Sequence, residues 1–300
     1  MIGIITLNKP QGKTSHDMVY FIRRTFKTKQ VGHTGTLDPM ATGVLPILVG
    51  KATKLSDILT AENKEYIARI RLGVTTDTLD ITGNILSEQK VLAGEDEIKN
   101  VLSSFSGEQM QLPPMYSALK VDGKKLYTLA RQGITIERTP RKINIFYIDF
   151  LSYFPEHHEF EIKVGCSKGT YIRSLCDDIG KALGCGAVLT ALTRTKSGNF
   201  SIENSYTEED VLKALDNGNL ESLLTKIDDV LDDFTKAVAF GDNEKKVKNG
   251  IRLRPVQLGI KNFSLGQTFK IYDENDSLIC LSEVILENDT PVLKHLKSFY

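Results

Sequence analysis

"FEIKVGCSKGTYIRSLCDDIGKAL" (residues 160–183) changes its period halfway along. Phe160, Ile162 and Val164 alternate with polar residues, the two-residue period of a strand with one buried face. "GCSKGT" (165–170) interrupts the pattern with two glycines. From Tyr171 onward Ile172, Leu175, Ile179 and Leu183 recur at i, i+3, i+7 and i+11, a single apolar stripe along a helix. Arg173 lies off that stripe, in the helix's first turn. Strands elsewhere alternate with helices but never in regular βαβ units. An α+β fold with a mixed, mainly antiparallel sheet and flanking helices is therefore favoured over a doubly wound one.

The flanking sequence extends this reading. In "KEYIARIRL" (64–72) Tyr66, Ala68, Ile70 and Leu72 share one face, and Ile67 breaks the alternation as if both faces were covered. Val44 to Val49 reads as a buried strand in which Pro46 marks an edge or a distortion. Ser15 can N-cap a helix running to about Thr28, with Val19, Ile22 and Phe26 inward. "GVTTDTLDITGNIL" (73–86) is turn-rich and leads into a returning strand, and residues 95–104 have a helical pattern. "LPPMYSALKVDGKKLYTLARQG" (112–133) holds a Pro-Pro turn, a basic hairpin and a short helix. The acidic stretch from Glu203 is helical, including "EEDVLKAL" and "IDDVLDDF". Beyond Phe240, "NGIRLRPVQLGI", "GQTFKIYDENDSLICLSEVI" and "VLKHLKSFY" read as short strands with tight turns. This divides the chain into a domain over 1–235, with an acidic helical segment at about 203–235, and a small β-rich domain over 236–300.

The chain of 300 residues, 41% apolar, is long enough for two cored domains and has no membrane-length apolar run. Its N-terminus, MIGIITLNKP, lacks the basic and apolar regions of a signal peptide, so a cytoplasmic protein is expected. The four cysteines form no CxxC pair and the five histidines are scattered, so metal binding is not indicated and the thiols are expected buried and reduced. Net charge is zero, yet it is segregated. Residues 9–29 carry six cations against Asp17, and 120–142 carry Lys120, Lys124, Lys125, Arg131, Arg138, Arg141 and Lys142 against two acids. Because screening confines surface charge to about 8–10 Å, such patches can hold phosphates on a neutral chain.

One carboxylate stands alone. Asp38, in "VGHTGTLDPMATGVLPILVGKATKLSD" (31–57), sits in a glycine-containing loop with Pro39 directly after it. A P-loop needs GxxxxGK[ST], and here Leu45 replaces the first glycine while Ala52 follows Lys51. A lone aspartate in a turn serves either as an Asx-type cap or as a nucleophile, and spacing alone leaves both open. As a nucleophile it needs a cation within about 4–6 Å, which would lower its pKa by roughly 1–3 units.

The stretch GHTGTLDPMATGVLPILVGKATK closely resembles the catalytic-loop motif of the bacterial tRNA pseudouridine synthase B (TruB) family. "LNKPQGKTSHDMV", "KEYIARIRLGVTTDTLDITG", "LPPMYSALKVDGKKLYTLAR", "VGCSKGTYIRSLCDDIG" and "LTALTRTKSGNF" resemble further motifs of that family, in its order, over residues 3 to about 200. The resemblance implies a tRNA pseudouridine synthase that isomerises uridine 55 in the TΨC loop without cofactor or metal. It implies that Asp38 is the nucleophile, attacking either C6 of the base or C1′ of the sugar. Arg173 is then its paired cation, and Tyr66 the ring that stacks on the flipped base. His33 enters the RNA loop, while Lys9, Tyr171 and Leu192 line the site. The segment at about 120–145 becomes an RNA-gripping insertion, with Lys120, Lys124, Lys125, Arg131, Arg138 and Arg141 on phosphates. The C-terminal domain resembles a PUA domain. The expected partner is the TΨC stem-loop of tRNA, met by a monomer with no obligatory protein partner. Three other readings share these features: a tRNA-folding chaperone without required catalysis, a guide-dependent synthase subunit, and a nucleoside glycosylase. Product mass separates the last, because isomerisation leaves mass unchanged.

Overall fold

The computed structural model describes every residue except Asp122 and the side chains of Lys120 and Lys125. It opens with β1 (Gly3–Lys9), α1 (Ser15–Thr25), β2 (Val31–His33) and β3 (Thr42–Val49). A 3-10 turn over Gly50–Leu55 and the short α2 (Ser56–Thr60) lead to β4 (Lys64–Leu72). The hairpin of β5 (Val74–Thr76) and β6 (Ile85–Glu88) precedes α3 (Glu95–Ser103) and β7 (Gly107–Gln111). The basic segment contains β8 (Lys120–Val121), β9 (Lys124–Lys125) and α4 (Leu126–Ala130). Then come β10 (Arg141–Phe154), β11 (Glu159–Cys166), α5 (Ile172–Ala182), β12 (Ala187–Ser197) and β13 (Phe200–Ser201). The acidic segment supplies α6 (Glu208–Asp216) and α7 (Ile227–Val230). The last elements are β14 (Thr235–Val238), α8 (Asp242–Lys248), β15 (Thr268–Tyr272), β16 (Leu278–Glu287) and β17 (Thr290–Ser298).

The large sheet runs β1-β3-β12-β4-β11-β10-β7, with β2 also on β3 and β13 on β12. Among the described residues, its one parallel strand pair is β3 with β12, through Thr193↔Thr42 and Arg194↔Gly43. The strand-to-helix reading of 160–183 holds. Phe160, Ile162 and Val164 are buried in β11, and Ile172, Leu175 and Ile179 of α5 join the same core. Each such side chain contributes about 1.5–3 kcal/mol when fully buried. Pro46 distorts nothing. Its carbonyl accepts from Thr34 N at 3.2 Å, so its missing N–H faces the same side, away from β1, where β3 changes partner.

Four local expectations change. Thr14, not Ser15, caps α1: its side chain accepts from Asp17 N, and Asp17 returns a bond to the Thr14 backbone. That helix stops at Thr25, just before Lys27 takes a left-handed conformation (φ 50°). "IDDVLDDF" forms a single helical turn, Ile227–Val230. "NGIRLRPVQLGI" forms no strand, only a 3-10 turn over Pro255–Leu258.

The second sheet, β14-β15-β16-β17, has a separate core that includes Phe269, Ile271, Ile279 and Val284. A third cluster joins the two sheets, packing Ile4, Val44 and Leu48 with Leu281 and Phe299. Lys51 and Lys54 strengthen that contact by donating to the carbonyls of Phe299 (2.9 Å) and Ser298 (2.7 Å). All four cysteines are buried and free. No helix among the described residues is long and apolar enough to cross a membrane.

Candidate active site

The loop from Thr34 to Ala41 joins β2 to β3 and carries Asp38. It is tied down from several directions. Ser15 Oγ accepts from Leu37 N (2.8 Å) and donates to Leu37 O (3.2 Å), which explains why Ser15 does not cap its own helix. Gly12 N donates to Pro39 O at 2.8 Å, and Ala41 N closes a turn on Asp38 O at 3.0 Å. Leu37, Met40 and Ala41 are buried around the aspartate.

Arg173 reaches this loop from the first turn of α5. Gln111, at the end of β7, fixes that turn by accepting from Tyr171 N (2.8 Å) and donating to Tyr171 O (3.1 Å). Arg173 Nε lies 2.9 Å from Asp38 Oδ2, with Arg173 buried and the Asp38 side chain 39% exposed. Its other nitrogens donate to Thr78 O (2.9 Å) and Tyr116 O (2.7 Å). Asp80 is the second carboxylate of the site, with Oδ2 3.7 Å from Arg173 Nη1. Its Oδ1 accepts from Thr78 Oγ1, Thr82 N and Thr82 Oγ1 at 2.8, 3.0 and 2.6 Å. Leu79, left-handed at φ 64°, turns the chain there, and the bonds Ile81 N to Leu189 O and Leu189 N to Leu79 O stitch the loop to β12.

The electrostatic balance differs from the sequence expectation. Burial pushes the Asp38 carboxyl above the usual carboxylate range, and Asp80 pushes in the same direction; Arg173 and Lys9 pull it back without cancelling the burial. A cation was required, but its effect is to limit a rise and not to produce a net fall.

The other anticipated residues divide into two groups. Tyr66 lies in β4 beside Arg194 in register, and burial raises its phenol, with Arg194 the main opposing influence. Only 9% of Tyr66 is exposed, so stacking on its ring requires neighbouring atoms to move aside. His33 is half-buried and its Nδ1 accepts from Gly35 N at 3.2 Å; burial lowers its pKa, so the ring is neutral with its proton on Nε2. Tyr171 stands half-buried beside Arg173, its phenol raised by burial, and Leu192 is a buried residue of β12. Lys9 does not line an open site. It is fully buried, and Nζ donates to Pro10 O (2.8 Å), Lys13 O (2.7 Å) and Pro39 O (3.4 Å), with burial drawing its pKa down to about 8. Its role is to hold the backbone behind Asp38.

Among the basic residues, Lys124 and Arg131 are exposed, whereas Arg138 is engaged with Pro113 O at 2.9 Å. Lys120 and Lys125 lie outside the described side chains. Arg141 lines a groove of about 790 Å³ together with Lys54, Lys142, Lys168 and Lys297. Ser56, on the same groove, donates to His33 O at 3.4 Å, and Lys168 precedes Tyr171 by three residues. The groove therefore runs alongside the site.

Asp80 and Arg194 were not singled out in the sequence. Asp77 and Asp80 sit in one turn-rich segment, and nothing in their spacing says which one is buried. Arg194 carried a usable signal, since it lies in phase with Leu192 on one face of a strand.

A loop carboxylate paired with a buried arginine from α5, beside a central mixed sheet, lies in stretches of the chain that match pseudouridylate synthase domains, and the fold that holds it has solved neighbours. The chain is similar, at 28% identity and a TM-score of 0.73, to a structure described as a Cbf5-Nop10-Gar1 complex, covering 99% of this chain and 84% of that one. It is also similar to an archaeal box H/ACA sRNP Nop10-Cbf5 complex at 25% identity and a TM-score of 0.72, covering 99% of this chain and 86% of that one. Residues 23–172 match the TruB family pseudouridylate synthase N-terminal domain, and residues 173–239 match the tRNA pseudouridylate synthase B C-terminal domain. The tRNA pseudouridine synthase B of Alkaliphilus oremlandii is 48% identical over 84% of this chain and 83% of its own length. That of Clostridium tetani is 45% identical over 92% and 93% respectively. The chain belongs to the TruB family.

Proposed function

We propose that this protein isomerises uridine 55 in the TΨC loop of tRNA to pseudouridine, as a monomer in the cytoplasm, with Asp38 as nucleophile. The observation that carries the reading is the 2.9 Å pairing of a half-open Asp38 with a buried Arg173, in the loop that belongs to the family's catalytic motif. Flipping places the uridine against Asp38. Whether the carboxylate adds at C6 of the ring or at C1′ of the sugar, the N1–C1′ bond breaks and the base turns over. A C5–C1′ bond then forms, C5 loses a proton and N1 gains one, so the mass is unchanged. Arg173 keeps Asp38 ionised enough to attack despite its burial. Tyr66 and Leu192 meet the flipped base, Tyr171 borders it, and neutral His33 fills the gap in the RNA loop. Base stacking of this kind contributes about 1–3 kcal/mol, of the order needed for flipping.

Residues 1–235 act as the catalytic domain. The groove of Lys54, Arg141, Lys142, Lys168 and Lys297 suits the phosphates of the RNA stem, with Lys124 and Arg131 of the insertion on the loop. Residues 236–300 are the PUA-like domain, contributing Lys297 to that groove. The relatives named as tRNA enzymes match nearly their whole length at 45–48% identity, well above the 25–28% of the Cbf5 complexes, which favours tRNA over guide-dependent action.

The test is carbodiimide-dependent primer extension on an unmodified tRNA transcript, with filter binding in parallel. Wild type should produce a stop at the TΨC uridine, and Asp38→Asn should bind the tRNA but produce none. Binding by both proteins without a stop would leave a tRNA-binding remodeller, and release of free uracil would make the protein a glycosylase.

A further inference from the structure

Arg194 is the largest fully buried side chain among the described residues, at 1% exposure. No carboxylate among those residues lies within 4.0 Å of its nitrogens, and its titratable neighbours include Lys9, His33 and Lys64. A buried guanidinium without a counter-ion is costly, so its hydrogen bonds must account for it. Nε donates to Val44 O at 2.7 Å, and Nη2 donates to Gly35 O at 3.2 Å. Those carbonyls lie on either side of Asp38 along the chain, one in its loop and one in β3. Tyr66 stands opposite Arg194 in register, and the guanidinium opposes the rise that burial imposes on its phenol.

We propose that Arg194 is a positioning residue for the isomerisation: it clamps the Asp38 loop on both sides of the aspartate and holds its charge beside Tyr66. The charged or titratable groups facing Tyr66 are Arg194 from β12, Cys166 from β11 and Asp38 from the loop. Cys166 is a neutral thiol, its pKa pushed up to about 11 by burial. The clamp explains Gly43 as well. A Cβ there would stand 2.2 Å from Arg194 O, so the glycine lets β12 bring the arginine close.

This inference rests on the isomerase reading, and its test separates the two. Arg194→Met and Arg194→Lys would be made in the full chain and followed by single-turnover kinetics on tRNA, filter binding, and hydrogen exchange of the amides in 34–44. Arg194→Met should slow turnover about 100-fold, the scale of a small misplacement of reacting groups, with tRNA affinity changed less than about threefold. Arg194→Lys should recover about tenfold of that loss. Without the cation the Tyr66 titration in the rate–pH profile should move to higher pH, and this shift should vanish in a Tyr66→Phe background. Exchange in 34–44 should quicken in Arg194→Met while the rest of the sheet is unchanged. A folded Arg194→Met with wild-type exchange in the loop and an unmoved pH profile overturns the proposal. If Arg194→Met does not fold, a folded Arg194→Lys with wild-type rate, profile and exchange overturns it alone. Should wild type form no pseudouridine, the function fails while the exchange measurement still judges the clamp.

Discussion

At Asp38 two opposing effects meet, and burial wins. A carboxyl whose folded pKa lies above its unfolded value, near 3.9, gives its full stability below that unfolded value. It loses this stability as pH rises through the folded pKa. Wild-type protein near pH 7 therefore holds a disfavoured charge. Asp38→Asn removes that charge and leaves Arg173 its bonds to Thr78 O and Tyr116 O, with Asp80 nearby. The variant should melt at a higher temperature than wild type at pH 7, and the two should converge as pH falls toward 4; calorimetry across that range checks it. An inactive protein that is also more stable is the signature of a site strained for chemistry. A wild type that melts higher at every pH would show that the Arg173 attraction dominates. The sequence motifs led to Asp38 and Arg173, because residue type and order carry them. The buried partners Asp80 and Arg194 depend on which loop closes over which strand, and single-sequence spacing does not encode that. Lys9 shows the same limit: the motif marks its position, but only the fold reveals that its ammonium faces three carbonyls.

Among the elements, the parallel contact of β3 with β12 bears most directly on the site, since it brings Arg194 beside the Asp38 loop. Gly43 makes this contact possible. Its φ of 99° is open to glycine, and an added methyl would meet the backbone of Arg194, which cannot swing away like a side chain. Gly43→Ala should cost about 3–5 kcal/mol, combining backbone strain with the clash. Denaturant titration should show a lower midpoint at unchanged slope; a loss under about 1 kcal/mol would mean that β12 can shift aside. Elements were legible where burial and period agree, as in β4, β11 and α5. They misled at 249–260, where alternating apolar residues suggested a strand. Leu253, Pro255, Leu258 and Ile260 are buried there while Ile251 and Val256 are exposed, and the Leu253 carbonyl accepts a single bond from Leu293 N at 2.8 Å, so the segment packs without building a ladder. Alternation reports which side chains are covered, and pairing is decided by a partner strand elsewhere in the chain.

The basic groove exists only at the level of the whole molecule. Lys54 comes from the turn after β3, Arg141 and Lys142 from β10, Lys168 from the turn before α5, and Lys297 from the last strand. Zero net charge conceals it, because the acids collect in the segment around α6 and α7. Not all five cations are equivalent. Lys54 holds Ser298 O and Lys297 pairs with Asp57 at 2.8 Å, so both also fasten the C-terminal sheet to the catalytic part. Arg141, Lys142 and Lys168 are exposed, and an exposed substitution of this kind usually moves stability by no more than about 0.5 kcal/mol. Lys142→Ala and Lys168→Ala are therefore the clean probes of phosphate contact. Each removed contact should lower the slope of log Kd against log salt by about 0.7–0.9 and weaken binding at low salt. The rate at saturating tRNA should stay at the wild-type value, since neither residue approaches Asp38 in the chain's hydrogen-bond network. Filter binding across a salt series, with single-turnover rates alongside, measures both quantities. An affinity loss that leaves the salt slope unchanged would place these lysines off the RNA path. A slope change with a slowed saturated rate would mean that the groove also helps to seat the uridine against Asp38.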